Sequence, residues 1–378
     1  MLALLLLACS ALDAADYACV EDPALVERED GAALQALLDG AVADGLPGVV
    51  VALRDRDGRV WAGASGMADL GAGAPLQTCT PLRIGAVSQM LASAAAVSLA
   101  EDGALDLDAP VTSILTDEPG LEDVPNISAI TVRHLLSHQS GVPDYALSTC
   151  ALDLLNDPAT PFDVHDAIAC MGTLPAAFEP GTDFALSSGD YALVHAILEA
   201  VTGEGAAAVL QHRVADPVGL ADTLLPDGGQ TPVGAARGYG DISGEGDVYD
   251  VTDLSLGYGL LDGGVLSTAS DLTLFAKTLL EAELVSQDWL KQMKDESQFG
   301  EGTDYGLGLV VDRDSPYGRA FGHRGWLLGY TSELWYLPDL KVTVAVLSNG
   351  GLGQLQSRAE QLSTEELAPA LVAAAAGG

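Results

Sequence analysis

The segment with the clearest structural signal, residues 83–99, reads RIGAVSQMLASAAAVSL. Its second part, from residue 87 onward, is rich in Ala and apolar almost all round. A helix with apolar residues on every side is typical of the interior of a protein rather than its surface. We therefore predict a buried helix over residues 87–99, around which the rest of the fold is built.

Strand signals lie on both sides of this helix, towards the two ends of the chain. Residues 48–63 are β-rich around an Asp-Gly turn, and three apolar runs after residue 305 also indicate strands. The middle of the chain and the tail at 352–375 are mostly helical. We predict an α+β fold in which an antiparallel sheet built from both termini is flanked by terminal helices, with a mostly helical lobe inserted. The predicted limits are 24–105 plus 285–375 for the α/β lobe and 106–284 for the helical lobe.

Charge excludes one class of partner. The 378 residues include 16 Lys and Arg against 54 Asp and Glu, which gives a formal net charge of −38. Such a chain is repelled by nucleic acid and by anionic membranes, so we expect neither as a direct partner. No Cys/His spacing indicates zinc, and we expect no metal and no cofactor. The acidic loop at 238–253 leaves calcium as an alternative, although the EF-hand spacing is missing.

The N-terminus indicates export. The apolar run at residues 2–8 is too short to span a bilayer but suits the central part of an export signal. Residues 6–9, Leu-Leu-Ala-Cys, resemble a bacterial lipoprotein cleavage site, so we predict an export signal and tether over 1–22 with lipidation at Cys9. The lipid would be the protein's membrane contact, in the periplasm or at the cell surface. Simple secretion and an unprocessed terminus are the alternatives.

Four further cysteines, Cys19, Cys79, Cys150 and Cys170, allow three disulfide pairings. In an exported protein an even number of cysteines favours disulfides. Cys150 and Cys170 are close in sequence within one predicted lobe, and Cys19 and Cys79 both flank the other. We therefore predict the pairs Cys19–Cys79 and Cys150–Cys170.

Several segments together resemble the class C β-lactamases and the related penicillin-binding proteins and esterases. They occur in the family's order and span about residues 33–350. The resemblance implies a β-lactamase/transpeptidase-like fold with its cleft beside the central helix. The matching segments are RIGAVSQ at 83–89, LDLDAP at 105–110, TVRHLLSHQSGVPDY at 131–145, PGTDFALSS at 180–188, GGVLSTASDL at 263–272 and GHRG at 322–325.

The same resemblance implies acyl transfer, for which this chain lacks the side chains. The family uses a Ser nucleophile and a Lys one helical turn later, with a Tyr from Tyr-x-Asn that shares the proton transfer. Here the aligned positions hold Ala86, Gln89, Leu186 and Ser188. A methyl group cannot attack a carbonyl, an amide is not a base, and Leu has no proton to relay. A register error is excluded, because Ser-x-x-Lys occurs nowhere in the chain.

Four other residues are candidates for the cleft. The resemblance places His323, Arg324 and Gly325 on a strand that faces it. Arg324 either attracts a carboxylate, such as a peptide C-terminus, or forms an internal ion pair. Ser88 lies two positions after Ala86, which turns it about 200° around the helix. We expect a packing hydroxyl there, with a replacement nucleophile as the alternative.

These observations predict an exported pseudoenzyme, a catalytically inactive relative of serine hydrolases that uses the old cleft or its surface for binding. A peptide or cell-wall-like ligand is one possible partner. The first alternative is an active hydrolase with rearranged chemistry, in which Ser88 or Ser188 works with His323. The second is a structural surface lipoprotein that keeps only the fold, since fold alone does not carry function.

Overall fold

The structure is a computed structural model that describes residues 19–150, 162–254, 259–294, 303–315 and 318–371. The predicted export signal lies almost entirely outside these ranges, as does Cys9. Both predicted disulfides, Cys19–Cys79 and Cys150–Cys170, are present.

A large antiparallel sheet organises the fold. Within the described ranges eight strands follow the order β3-β2-β1-β12-β11-β10-β9-β8, and two ribbons pair β4 with β7 and β5 with β6. The first and last strands of the chain meet near the centre of the sheet, where Val51 pairs with Val346. The sheet predicted from the two termini is therefore confirmed. The strands are β1 Gly48–Arg54, β2 Val60–Asp69, β3 Ala74–Pro75, β4 Leu82–Arg83, β5 Tyr239–Gly240, β6 Tyr249–Asp250, β7 Leu266–Ser267, β8 Thr303–Tyr305, β9 Val310–Ser315, β10 Gly318–Leu327, β11 Tyr330–Leu337 and β12 Val342–Ser348.

Helices cover both faces of this sheet and build the second lobe. The α-helices are α1 Gly31–Ala43, α2 Ser88–Glu101, α3 Val132–Leu136, α4 Val164–Met171, α5 Ser188–Thr202, α6 Ala206–Leu210, α7 Asp216–Val218, α8 Ala269–Leu280, α9 Gln287–Met293 and α10 Gly353–Gln361. Single 3₁₀ turns lie at Gly85–Val87, Val111–Ser113, Leu121–Asp123, Ile127–Ala129, Tyr145–Leu147 and Asp227–Gly229, and π-helical turns lie at Gln211–Ala215 and Leu362–Leu367.

The sheet lies between two apolar layers. On one face α1 and the C-terminal helical segment pack against Val49, Val51 and Trp335. On the other face α8 packs against β1, β11 and β12, and the helices of the second lobe continue the same core. The lobe limits stay predictions, because one continuous core joins both lobes. The predicted limits assign helix α8 to the helical lobe, because it lies before residue 284. The helix nevertheless packs on the sheet.

Helix α2 is the buried helix that the sequence predicted. Twelve of its fourteen residues are buried, and its Ala side chains let α5 and α6 approach closely. At one such contact the hydroxyl groups of Ser93 and Tyr191 are hydrogen-bonded at 2.8 Å. No single described helix is long and apolar enough to cross a membrane; α5 and the helical segment 206–218 pass that test only as a pair, with an 83° bend between them.

The N-terminal segment is fastened to the edge of the α/β lobe in three ways. Cys19 is bonded to Cys79, and backbone hydrogen bonds join residues 24 and 26 to Val60. The carboxylate of Asp22 accepts a 2.8 Å hydrogen bond from the guanidinium of Arg54, which is buried. Arg54 also donates to the carbonyl of Gly58 at 2.9 Å. The chain therefore joins the folded body at a fixed point.

Candidate active site

The turn that opens α2 lies very close to strand β10. A Cβ at Gly325 would overlap the carbonyl oxygen of Ile84 and the hydroxyl of Ser332. A Cβ at Gly85 would lie 2.8 Å from the carbonyl oxygen of Trp326, and its backbone φ of 50° also favours glycine. Glycine at these two positions therefore allows the close approach that places residue 86 beside the strand.

Gly325→Ala tests this approach. The added methyl group meets backbone atoms that cannot move aside as a side chain can, so we expect a loss of about 3 kcal/mol in the free energy of unfolding. Urea unfolding measures it. Gly263→Ala is the control, because its Cβ meets nothing closer than a Leu327 methyl carbon at 3.4 Å. Equal stability of the two variants would show that the turn and the strand are not tightly packed.

A cavity of about 260 Å³ opens between this turn, the segment before α5 and strand β10. Its lining includes seven of the residues that the resemblance placed at the cleft: Ala86, Gln89, Leu186, Ser188, His323, Arg324 and Gly325. The structure therefore brings the positions that the resemblance aligns with the family's catalytic residues together around an open space. The lining also contains Asp144, Trp326, Glu333 and Glu360, which the sequence analysis did not select.

Ser88 does not belong to this site. It is fully buried, it is absent from the cavity lining, and its hydroxyl oxygen accepts a 3.2 Å hydrogen bond from the backbone N–H of Val265. Ser88 is therefore wrong as a cleft candidate, and its hydroxyl has the packing role that the sequence analysis expected. The cause is the helical rotation between positions 86 and 88, which turns the side chain away from the cavity.

Gln89 is held by a buried hydrogen-bond network. Its Oε1 lies 3.0 Å from Nε2 of His138, and its Nε2 donates to the carbonyl oxygen of Asp262 at 3.4 Å. The other ring nitrogen of His138, Nδ1, lies 2.7 Å from a carboxyl oxygen of Asp190. The hydroxyl of Ser140 donates to the second oxygen of that carboxyl. Because an amide oxygen only accepts, Nε2 of His138 must carry a proton.

Burial favours the uncharged forms of His138 and Asp190. It lowers the pKa of His138 to about 3 and raises the pKa of Asp190 well above its ordinary value. Both directions favour a neutral pair in which the Asp190 carboxyl donates to Nδ1. The backbone N–H of Ser187 also points at Nδ1, at 3.3 Å. A neutral acceptor such as Gln89 completes this arrangement, whereas an ammonium group would present another donor to the His138 N–H.

His323 is oriented by its own neighbours. Its Nδ1 lies 2.6 Å from the carbonyl oxygen of Arg324, which fixes the proton on Nδ1, and its Nε2 accepts from the hydroxyl of Tyr305 at 2.9 Å. Burial lowers the pKa of His323 to about 4, so the ring is neutral at pH 7. The Tyr305 hydroxyl also lies 3.3 Å from Oε1 of Gln89. Both nitrogens of His323 are therefore already engaged.

Arg324 forms the internal ion pair that the sequence left open. On adjacent strands it faces Glu333, and its Nε lies 3.9 Å from Oε2 of that carboxylate. The guanidinium also lies over the ring of Trp335, 5.4 Å from the centroid. Burial raises the pKa of Glu333, while the indole N–H of Trp335 and the charge of Arg324 act in the opposite direction.

Two signals could have found the missed residues. Asp144 lies in the 131–145 segment that carried the resemblance, next to the buried Tyr145. Glu333 is a carboxylate within the otherwise uncharged strand YTSELWYL, where an acid needs a partner or a role.

The calcium alternative gains no support: among the described residues no group of three or more His, Cys, Asp or Glu side chains could hold a metal ion. Asp250 and Asp253 pair with Arg237 instead.

The sheet order and the cavity beside the start of α2 define the β-lactamase/transpeptidase-like fold. The sequence pattern of the Beta-lactamase family matches residues 34–365, and the chain belongs to that family. Penicillin-binding protein 4* of Bacillus subtilis is 27% identical over 301 residues, which cover 75% of this chain and 64% of that protein. The chain thus spans slightly less than two thirds of the length of this relative.

Two solved structures have the same architecture. The D-amino acid amidase of Ochrobactrum anthropi SV3 in complex with L-phenylalanine superposes with a TM-score of 0.78 at 27% identity, covering 90% of this chain and 98% of that one. A D-stereospecific amidohydrolase from Streptomyces sp. gives a TM-score of 0.75 at 26% identity, covering 88% and 98%. The predicted fold class and family resemblance are confirmed.

Proposed function

We propose that this protein is an exported, non-hydrolysing member of the β-lactamase family that binds a small ligand in the family's cleft. One observation carries the proposal: the cavity is open, yet a methyl group, an amide and an isobutyl group occupy the nucleophile, base and relay positions at residues 86, 89 and 186. A peptide or cell-wall-like molecule is the ligand class that the family resemblance favours.

The surroundings of these positions support a loss of catalysis rather than a replacement. Gln89 is buried with both ends of its amide bonded, so it has a defined structural role of its own. The nitrogen of His323 that would have to act as a base already accepts from Tyr305. Loss of a single member of such a catalytic group removes orders of magnitude in rate.

The purified protein is accordingly expected to be inert. It should neither hydrolyse penicillins or activated esters nor form an adduct with a fluorophosphonate or a penicillin, because no nucleophile is activated. Intact-mass spectrometry after incubation with each probe measures this. An active penicillin-binding protein treated in parallel is the control for the probes, and an adduct on any Ser would contradict the proposal.

The second candidate function is an active hydrolase that uses Ser188. Ser188 lines the cavity together with His323 and is partly exposed, so a substrate carbonyl could reach its hydroxyl. Peptide mapping of a labelled sample separates the two functions. An adduct on Ser188 that disappears in Ser188→Ala would favour the hydrolase.

The export part of the proposal rests on the disulfides. Disulfides form and persist in oxidising compartments such as the bacterial periplasm and are rare in the cytosol. The Cys19–Cys79 and Cys150–Cys170 pairs therefore support export. We propose lipidation at Cys9; metabolic labelling with a fatty-acid analogue, compared between the natural chain and Cys9→Ala, tests it.

A further inference from the structure

We infer that the hairpin formed by β5 and β6, residues 239–250, is a docking surface for a polypeptide segment that carries both basic and apolar side chains. This surface lies outside the cleft, and its role is independent of the ligand that the cleft binds. Three properties of the hairpin support this assignment: its fixed conformation, its exposed apolar side chains and its carboxylates.

The hairpin is held in one conformation at its base and at its tip. At the base the hydroxyl oxygen of Tyr239 accepts a 2.8 Å hydrogen bond from the backbone N–H of Leu70. At the tip the buried carboxylate of Asp241 accepts hydrogen bonds from the hydroxyl of Ser243 and the backbone N–H of Gly246, both at 3.1 Å. A loop fixed in this way has little conformational freedom to lose when a partner binds.

The surface of the hairpin and its surroundings is rich in exposed apolar side chains. All the residues from 242 to 250 are exposed, among them Ile242 and Tyr249. Seven of the eleven large apolar side chains that are exposed in the described part of the chain lie in residues 67–70 and 233–254. These two stretches adjoin, because a backbone hydrogen bond of 2.8 Å joins them. A concentration of exposed apolar side chains in one place marks an interaction site.

Two carboxylates at the tip of the hairpin can meet a basic partner. Residues 238–253 include five acids and no Lys or Arg. Two of these acids pair with Arg237, and a third, Asp241, is buried. Glu245 and Asp247 are exposed and form no ion pair with a basic side chain of the described residues. A Lys or Arg of a partner would therefore find a carboxylate beside the apolar side chains.

A polypeptide fits this surface better than the other possible occupants. None of the seven exposed apolar side chains lines the cavity of the cleft, and a small ligand cannot cover two separate stretches of chain together. A second copy of this chain, with its own net charge of −38, would place acids against acids. An anionic membrane is repelled by the same carboxylates. A basic segment with apolar side chains complements both the charge and the apolar surface.

The hairpin also adjoins the entrance of the cleft. The backbone N–H of Tyr239 donates to the carbonyl oxygen of Gly329 at 3.2 Å. Gly329 lies in the turn that follows β10, three residues after Trp326, which lines the cavity and is partly exposed. A polypeptide seated on the hairpin would therefore lie beside the cleft without having to enter it.

Three peptides of twelve residues test the preference for a partner that is both basic and apolar. One alternates Lys and Leu, the second alternates Lys and Ser, and the third alternates Glu and Leu. Fluorescence anisotropy with the full chain at 0.15 M salt, where general attraction to the acidic surface is screened, measures the affinities. We expect the Lys-Leu peptide to bind about tenfold or more tighter than either of the others.

The apolar part of the surface is tested by the double variant Ile242→Ser, Tyr249→Ser. Both side chains are exposed, so the variant should fold, which thermal unfolding verifies. It is expected to weaken the Lys-Leu peptide about tenfold and to leave the Lys-Ser peptide unchanged. The double variant Val20→Ser, Val26→Ser removes exposed apolar side chains from the N-terminal segment and is the matched control.

The charged part is tested by the double variant Glu245→Gln, Asp247→Asn. It is expected to weaken the Lys-Leu peptide several-fold, because two carboxylates that face the lysines are lost. The double variant Glu122→Gln, Asp123→Asn removes the same charge from another exposed turn, Leu121–Asp123, and should have no effect.

Four results would overturn the assignment. Equal binding of the Lys-Leu and Lys-Ser peptides, or equal weakening by a control variant, would mean general attraction to an acidic protein. A Glu-Leu peptide that binds as tightly as the Lys-Leu peptide would exclude the basic partner. No binding of the Lys-Leu peptide at millimolar concentration would exclude a docking surface for such segments. Vesicles of phosphatidylcholine and phosphatidylglycerol, or a dimer seen by sedimentation, would be the true occupant if Ile242→Ser, Tyr249→Ser abolished that contact instead.

Discussion

The triple variant Ala86→Ser, Gln89→Lys, Leu186→Tyr is expected to form a covalent adduct with a penicillin or an activated ester, whereas Ala86→Ser alone is not. Residue 86 is partly exposed at the cavity, so a Ser there can reach a bound carbonyl. Without a base and a relay nothing removes its proton. The three groups act as a unit, so the gain should be orders of magnitude and strongly non-additive.

The environment of residue 89 suits a neutral amine. Its neighbours His138 and Tyr305 carry no charge, and the position is buried, which lowers the pKa of a lysine. A deprotonated lysine has one lone pair, which can accept from the His138 N–H or take the proton of the Ser. A lysine with a lowered pKa is therefore uncharged before the Ser attacks and can act as the base.

Intact-mass spectrometry after timed incubation measures this prediction, and the Gln89→Lys, Leu186→Tyr double variant is the control that lacks only the nucleophile. Unfolding curves establish that each variant is folded. A folded triple variant without an adduct would show that the backbone around the cleft no longer supports acylation. That result would favour the structural lipoprotein over the binding pseudoenzyme.

The second expected result concerns pH. Burial raises the pKa of Asp262 from 3.8 to about 7, although the Tyr145 hydroxyl at 2.6 Å opposes the shift. Between pH 3.8 and about pH 7 the unfolded chain has lost the proton that the folded protein keeps, so the free energy of unfolding falls as the pH rises. Above pH 7 the loss is complete, and it corresponds to on the order of 4 kcal/mol.

Asp262→Asn removes this contribution, because the amide preserves the shape and the contact with Tyr145 but cannot ionise. The difference in unfolding free energy between the variant and the natural chain should grow in the variant's favour across the window and then level off. Urea unfolding at a series of pH values measures it. A difference that does not change with pH would mean that Asp262 is already ionised in the folded protein.

The main elements of the fold were predictable because each depends on local pattern. The Ala-rich helix α2 and the paired terminal strands follow from periodicity alone. Strand β10 does not, because Gly322 and Gly325 interrupt its alternation, and only the family resemblance placed it at the cleft. Gly325 is required by packing against the turn before α2, a contact distant in sequence, and Gly322 by the close approach of the Leu334 backbone on β11.

The sequence predicts which residues occupy the positions where the family aligns. It does not predict how the charged and polar groups of the site pair with one another. The substitutions at Ala86 and Gln89 can be read directly. The pairing of Arg324 with Glu333 depends on the register of two strands, which the pattern of residues does not fix. The network through His138 depends on side chains brought together from four separate segments.

The attachment of the N-terminal segment has a mechanical consequence. Force applied to the chain upstream of residue 19 passes through the covalent bond between Cys19 and Cys79 before it reaches the hydrogen bonds at residues 24 and 26. The pairing of residues 24 and 26 with Val60 is thereby protected from the pulling force. Reduction of this one bond would transfer the load to the Asp22–Arg54 ion pair and to the edge of β2, where resistance to pulling is much lower.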